Sequence, residues 1–244
     1  QKKRIIIKTF MDMKKIITLI ILAVMVQVGF AQEEPVNEMK TLITGKKLKF
    51  TGVFASPELK GTIFNDGEGK DGYGFLVGGR MGVIFNNKFS IGAGGYGLTT
   101  DHRVDLSGYP EINDPNARIG FGYGGLVLEY TFFSNKLIHF TIPMLIGGGS
   151  ASVYKDINIS DDNLDWDDFD NYESTGLFVI EPGVNVELNL TKFMRLDLGA
   201  SYRMVQFSEL DYLPDSDDKF SNLAVNASLK LGLFQKIKKE KKTN

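Results

Sequence analysis

No cysteine occurs anywhere in the chain, which excludes a disulfide framework, a thiolate metal site and a lipidated cysteine at an export cleavage site. Histidine is nearly missing as well, with two residues in 244, so an imidazole-rich catalytic or metal centre has almost no material to draw on. Helical periodicity is absent between residues 46 and 234, where no long segment carries an apolar stripe at the 3.6-residue spacing. A basic surplus is lacking too. The formal net charge is −2, which makes nucleic acid a poor candidate partner. Long apolar runs are limited to one.

That run, "IITLIILAVMVQVGFA" (Ile16 to Ala31), follows Lys14 and Lys15 and closes on Gly29 and Ala31. A basic start, a short apolar centre and a small-x-small end form the pattern of a secretory signal peptide. A membrane-spanning helix needs about twenty apolar residues, and this run is shorter and interrupted by Gln27. The expected organisation is therefore upstream residues plus signal peptide over 1-31, with initiation at Met11 or Met13. A periplasmic N-terminal segment over 32-45, a folded domain over 46-234 and a basic periplasmic tail over 235-244 complete it.

What the chain does have is a period of two. In "FSNLAVNASLKLGLF" (Phe220 to Phe234), Leu223, Val225, Ala227, Leu229, Leu231 and Leu233 share one face, while Asn222, Asn226, Ser228 and Lys230 share the other. The same split runs through "TGLFVIEPGVNVELNL" and "FMRLDLGASYRMVQF". Strands of soluble sandwiches are typically about five or six residues, whereas these runs are long enough for the roughly nine to eleven residues that cross a bilayer at a tilt.

Connection lengths alternate as well. Three are short and alike, "FNNKF" (Phe85 to Phe89), "FSNKL" (Phe133 to Leu137) and "NLTKF" (Asn189 to Phe193), each with a lysine before a bulky apolar residue. The long connections fall at 56–72, 100–117, 155–174 and 208–219. Short turns at one rim and long loops at the other are the outer-membrane barrel arrangement, with the short turns periplasmic. The predicted strands are 46–55, 73–85, 88–99, 118–133, 137–154, 175–190, 193–207 and 220–234. The fold class that follows is all-β, an eight-stranded antiparallel up-and-down transmembrane β-barrel.

The span from Leu48 to Phe234, most specifically "FLVGGRMGVIFNNKFSIGAGGYGL" (Phe75 to Leu98), resembles the small eight-stranded outer-membrane β-barrel proteins of Bacteroidota, in the OmpA/OmpX-like superfamily. The resemblance implies an outer-membrane location, periplasmic termini and no catalytic machinery. The sequence departs from the family in running past the last-strand aromatic Phe234 into a lysine-rich tail, and peptidoglycan tethering of the OmpA type is not expected.

Two glycine patterns, Gly92-x-Gly94-x-x-Gly97 and Gly120-x-Gly122-x-x-Gly125, imitate a dinucleotide fingerprint but open no helix to receive a pyrophosphate. Glu129, His139 and Thr141 resemble the carboxylate, histidine and hydroxyl groups of outer-membrane lipid A deacylase barrels, with Thr141 in place of the serine that chemistry would favour. His139 lies about 10 Å of strand from the short turn, at the rim away from the outer leaflet, so a lumen residue is the simpler reading.

Parity assigns Lys49, Arg80, Arg195, Arg203 and Lys230 to the interior with Glu129, Glu181, Glu187 and Asp197. An eight-stranded barrel has a lumen that side chains fill, and buried charges must be paired, so the expectation is a closed lumen carrying a charge network. Loop 156–173 packs acids around Trp166, and Asp161, Asp165, Asp167, Asp168 and Asp170 are candidate ligands for surface Ca2+. The loop lacks an EF-hand glycine, so solvation is the plainer account. No other cofactor is expected. Outer-membrane lipid and lipopolysaccharide are the expected surroundings of a monomer, with loops 156-173 and 209-218 open to an extracellular ligand. The leading function is structural or surface display, not enzymatic. The alternative is a narrow porin for small solutes, and a lipid-modifying enzyme is third.

Overall fold

The computed structural model describes residues 48–65, 71–155, 171–206 and 210–234. The chain divides after Lys47, and all described residues belong to the second unit, Leu48–Asn244. Residues 1–31 with Met11 and Met13, segment 32–45 and tail 235–244 lie outside the described residues.

Ten strands and one short helix follow in order: β1 (Phe50–Asn65), β2 (Asp71–Phe85), β3 (Phe89–Leu98), β4 (Arg103–Val104), β5 (Ala117–Phe132), β6 (Ile138–Tyr154), β7 (Asn171–Asn189), β8 (Met194–Tyr202), β9 (Met204–Gln206), α1 (Ser216–Phe220) and β10 (Leu223–Phe234). The hydrogen-bonded order is β3-β2-β1-β10-β8-β7-β6-β5, and β3 pairs with β5 to close the ring. Eight strands make the barrel, all pairings antiparallel. β9 prolongs β8 beyond Arg203 and pairs with β7, while β4 adds a two-residue extension beside β5. Closure leaves no sheet edge, the condition a sheet must meet in lipid.

The side chains are distributed inside out. Leu59, Phe75, Val184 and Leu233 are 55–68% exposed on the outer face, whereas Lys230, Glu187, Asp197 and Arg203 are at most 1% exposed inside. Water would reward the reverse arrangement, so the outer face belongs against hydrocarbon. This is a transmembrane barrel.

The first strand differs from the sequence expectation. It runs to Asn65 instead of ending at 55, and it pairs with β2 without a break from Gly52↔Ile84 to Asn65↔Asp71. Pro57, Glu58 and Lys60 resemble loop residues when read alone. In place, Pro57 faces outward and the two charges face the lumen. Pairing with β10 lapses at Ser56 and Pro57, where proline offers no N–H, and a Ser56–Ser228 hydroxyl bond of 2.9 Å spans the lapse.

The short turns stand where the sequence puts them. Asn86 and Asn87 take φ of 53° and 57°, left-handed conformations that asparagine tolerates in tight turns, and the Lys88 N–H closes the turn on the Phe85 carbonyl at 3.0 Å. The two glycine patterns lie face to face on β3 and β5, pairing Gly94↔Gly125 and Gly97↔Gly122. Glycine is required at Gly78, where a Cβ would stand 2.6 Å from the Tyr96 ring that leans across it.

Candidate functional site

Among the described residues, buried polar chemistry is concentrated in the lumen, which divides into two halves. The half nearer the short turns is charged. Arg80 on β2 is its hub, donating from Nε to Glu58 at 2.8 Å, from Nη1 to Glu129 at 3.0 Å and from Nη2 to Asp197 at 2.9 Å. Lys230 on β10 donates to Glu129 at 2.7 Å and also to Glu187. Glu187 accepts from His139 Nε2 at 2.7 Å and from Arg195 at 3.2 Å.

The network continues toward the loops through Lys60, which donates to Glu181 at 2.7 Å. Glu181 is further held by the Ser201 hydroxyl at 2.5 Å and the Tyr123 hydroxyl at 2.6 Å. Lys60 Nζ also rests 3.5 Å from the centre of the Tyr96 ring, a favourable cation–π placement in a desolvated site. Asn185 lies across Gly199, where a Cβ would meet its Oδ1 at 2.0 Å, and so reaches Asp197 at 3.1 Å. Lys60, Arg80 and Lys230 come from the adjacent strands β1, β2 and β10, while Glu129, Glu181, Glu187 and Asp197 come from β5, β7 and β8. Glu58 on β1 and Arg195 on β8 are the exceptions to this division.

Lys49 does not enter this network. It precedes β1, is exposed, and holds the neighbouring turn through its backbone, donating to Asn86 Oδ1 at 3.1 Å. Arg203 is fully buried but turns toward the loops, donating to the Phe220 carbonyl at 2.8 Å and facing the Phe121 ring at 4.9 Å. Arg80, Glu129, Glu181, Glu187, Arg195, Asp197 and Lys230 are brought together as described. Glu58, Lys60 and the pairing of His139 were missed in the sequence. The signal for the first two was there, in the alternation of Phe54, Ser56, Glu58, Lys60 and Thr62 with outward Ala55, Pro57, Leu59 and Gly61.

The half nearer the loops is apolar. Ile119, Phe121, Val153, Leu177, Val179 and Val205 from the strands meet Leu106, Leu210, Leu213 and Phe220 from the long connections. Phe121 and Phe220 stack at 4.6 Å with 9° between their planes. Tyr109 meets Tyr212 edge-on at 4.9 Å, Tyr172 donates to Asp114 at 3.0 Å, and the Glu173 carboxylate accepts the N–H groups of Asp211 and Tyr212 at 2.8 and 3.2 Å. Connection 99–116 and residues 210–222 are thus folded over the mouth. Segment 209-218, expected as an open acidic loop, sends Leu210 and Leu213 into the barrel while Asp211, Asp215 and Asp218 stay exposed. Exposed Asp105 is held below the usual carboxylate range by the Ser107 hydroxyl and N–H, the latter at 2.9 Å.

The deacylase geometry is not assembled. His139 bonds Glu187, not Glu129, and Thr141 Oγ1 has no hydrogen-bond partner. Among the described residues, no group of histidines and carboxylates is placed to hold a metal ion. Asp161, Asp165, Asp167, Asp168 and Asp170 lie outside the described residues.

The fold and lumen define the class as an eight-stranded transmembrane barrel. Its solved-structure neighbours include the N-terminal β-barrel domain of Pseudomonas aeruginosa OprF, at 10% identity over 76% of this chain and 100% of that one, TM-score 0.42. Neisserial surface protein A follows at 13% identity, 75% and 96% coverage, TM-score 0.45. Ail, the attachment invasion locus protein of Yersinia pestis, matches at 14% identity, 76% and 98% coverage, TM-score 0.41, in a complex with the heparin analogue sucrose octasulfate. These scores are too low to bear on function, and the fold stands on the closed ring of strands. No family model and no curated protein matches the chain.

Proposed function

We propose that this protein is an outer-membrane barrel that anchors and displays its long connections, with a closed lumen and no reaction chemistry of its own. The observation that carries the reading is the double closure of the lumen, by ion pairs in one half and by apolar packing in the other. Between the two halves, Glu58, Lys60, Arg80, Tyr96 and Glu181 line a void with a water-accessible volume of about 20 Å³, room for about one water. A solute path needs far more.

In this reading the short turns and both termini face the periplasm, and the long loops face outward, as in barrels generally. Outer-membrane lipid and lipopolysaccharide surround a single copy, and the extracellular contact surface comprises loop 156-173 and the exposed acids of 209-218. A planar-bilayer recording tests the closed lumen. The expected result is an absence of large, stable single-channel steps, and their presence overturns the proposal in favour of the narrow porin. Protease cleavage within 156-173 on intact cells tests the orientation, and protection of that loop reverses it.

A further inference from the structure

The short-turn rim carries a repeated pair that the lumen does not use. At four places around it a lysine precedes a bulky apolar residue: Lys49-Phe50, Lys88-Phe89, Lys136-Leu137 and Lys192-Phe193. All four lysines are exposed, and the residues after them are 51%, 38%, 65% and 59% exposed on the outer face. An apolar side chain of that exposure belongs in hydrocarbon, so the lysine beside it stands at the headgroup layer. Its long stem lets the ammonium reach the polar zone.

Backbone hydrogen bonds tie these points into one collar. Asn86 N–H donates to the Lys49 carbonyl at 2.9 Å, Thr131 N–H to Lys88 at 2.6 Å, Asn189 N–H to Leu137 at 3.0 Å, and Gly232 N–H to Phe193 at 2.9 Å. Asn189 Nδ2 adds a bond to the Lys136 carbonyl at 2.9 Å. Each lysine position is fastened to the next strand pair around the ring, so the four backbone positions cannot shift level independently.

No carboxylate offsets them among the described residues of that rim. Glu129, Glu187 and Asp197, the acids of the strand ends there, are 2%, 0% and 0% exposed and face the lumen. At the opposite rim acids predominate: Asp105, Glu111, Asp211, Asp215 and Asp218 are exposed, against exposed Arg103 and Lys155, while Asp101 is paired with Arg103 and Arg118. The barrel is polarised along its axis, cationic at the short turns and acid-rich at the loops.

We infer that the lysine collar binds the phosphodiester headgroups of anionic phospholipids in the leaflet around the short turns. The inference rests on the membrane-spanning reading. Backbone positions fixed at the headgroup layer, positive charge uncompensated among the described residues and an apolar anchor beside every lysine all fit a lipid with one negative charge above two acyl chains. Near an anionic surface, one lysine is worth about a fivefold preference.

The test uses the full chain in phosphatidylcholine vesicles with trace spin-labelled phosphatidylglycerol or phosphatidylcholine, measuring the fraction of each label immobilised at the barrel. The expected result is a preference for phosphatidylglycerol of about fivefold at low salt, collapsing at about 1 M salt, where the screening length is about 3 Å. The combined variant K49Q, K88Q, K136Q, K192Q brings the preference close to unity, and lysine-to-arginine changes at the four sites keep it. The tail lysines are present in every arm. Equal immobilisation of both labels by the wild-type chain, as a rim built for an acidic protein would give, overturns the inference, and so does an undiminished preference in the glutamine variant. Heat-modifiable gel mobility in pure phosphatidylcholine reports barrel insertion separately, so failure of the membrane reading is distinguishable from failure of the collar.

Discussion

The two halves of the lumen are closed by different means and from different parts of the chain. In the charged half, the network from Lys60 to Glu187 is supplied by strand residues, and bonds such as Lys60–Glu181 and Arg80–Asp197 join strands that are not neighbours. Breaking it requires opening the barrel. In the apolar half, four of the contributors, Leu106, Leu210, Leu213 and Phe220, sit on connections or a five-residue helix. Those can leave the mouth while every strand pairing persists. The charged half therefore belongs to the global stability of the barrel, and the apolar half to a local equilibrium over its opening, since such segments open at lower free energy than the core they cover.

The sharpest way to break this comparison is at the hub. Replacing Arg80 with methionine leaves Glu58, Glu129 and Asp197 buried around a neutral group. It is expected to lower the free energy of unfolding in lipid by about 3–5 kcal/mol, read as a shift in the denaturant midpoint with an unchanged slope. Leu213→Ala should cost about 2 kcal/mol, but locally: a protease should cut within 210–222 at several times the wild-type rate while the midpoint of barrel unfolding barely moves. If the two variants shift that midpoint equally, the halves are one cooperative unit. Tyr109→Ala removes the edge-on contact with Tyr212, worth about 1 kcal/mol, and should raise amide exchange in 106–114 without touching the strands. Smallest is Arg103→Gln. Its 3.1 Å bond to Asp101 joins two half-exposed groups, and surface pairs are worth about 0–1 kcal/mol, so calorimetry should find no resolvable change.

The period of two in the sequence made the barrel legible, because lipid on one side and a filled lumen on the other impose opposite preferences on alternate residues. Strands β7, β8 and β10 showed it cleanly. β1 did not, since Pro57 and Gly61 on its outer face weakened the apolar signal just where Glu58 and Lys60 raised the polar one. Parity also identifies a face and not a partner. It placed Arg80 inside, but its three carboxylates come from β1, β5 and β8, and only the closed ring decides which of them it reaches. The folded-in connections were hidden for a different reason: Leu210 and Leu213 sit among aspartates in "LDYLPDSDD", and what buries them is a surface built from distant strands.

The uneven distribution of charge among the strands bears on how the chain assembles. β2, β1 and β10 carry Arg80, Lys60 and Lys230, and β8, β7 and β5 carry most of their anions. β1 and β10 are the first and last strands, so the cationic wall itself is complete only when the two ends of the chain meet. Until then, a partly zipped sheet holds charges that lipid penalises by several kcal/mol each. Arg80–Glu58 and Arg195–Glu187 form within single hairpins, but Lys60–Glu181 and Arg80–Asp197 join the first two strands to β7 and β8, so neutralisation is complete only with ring closure, and an incompletely closed sheet is penalised at the step where it would otherwise become trapped.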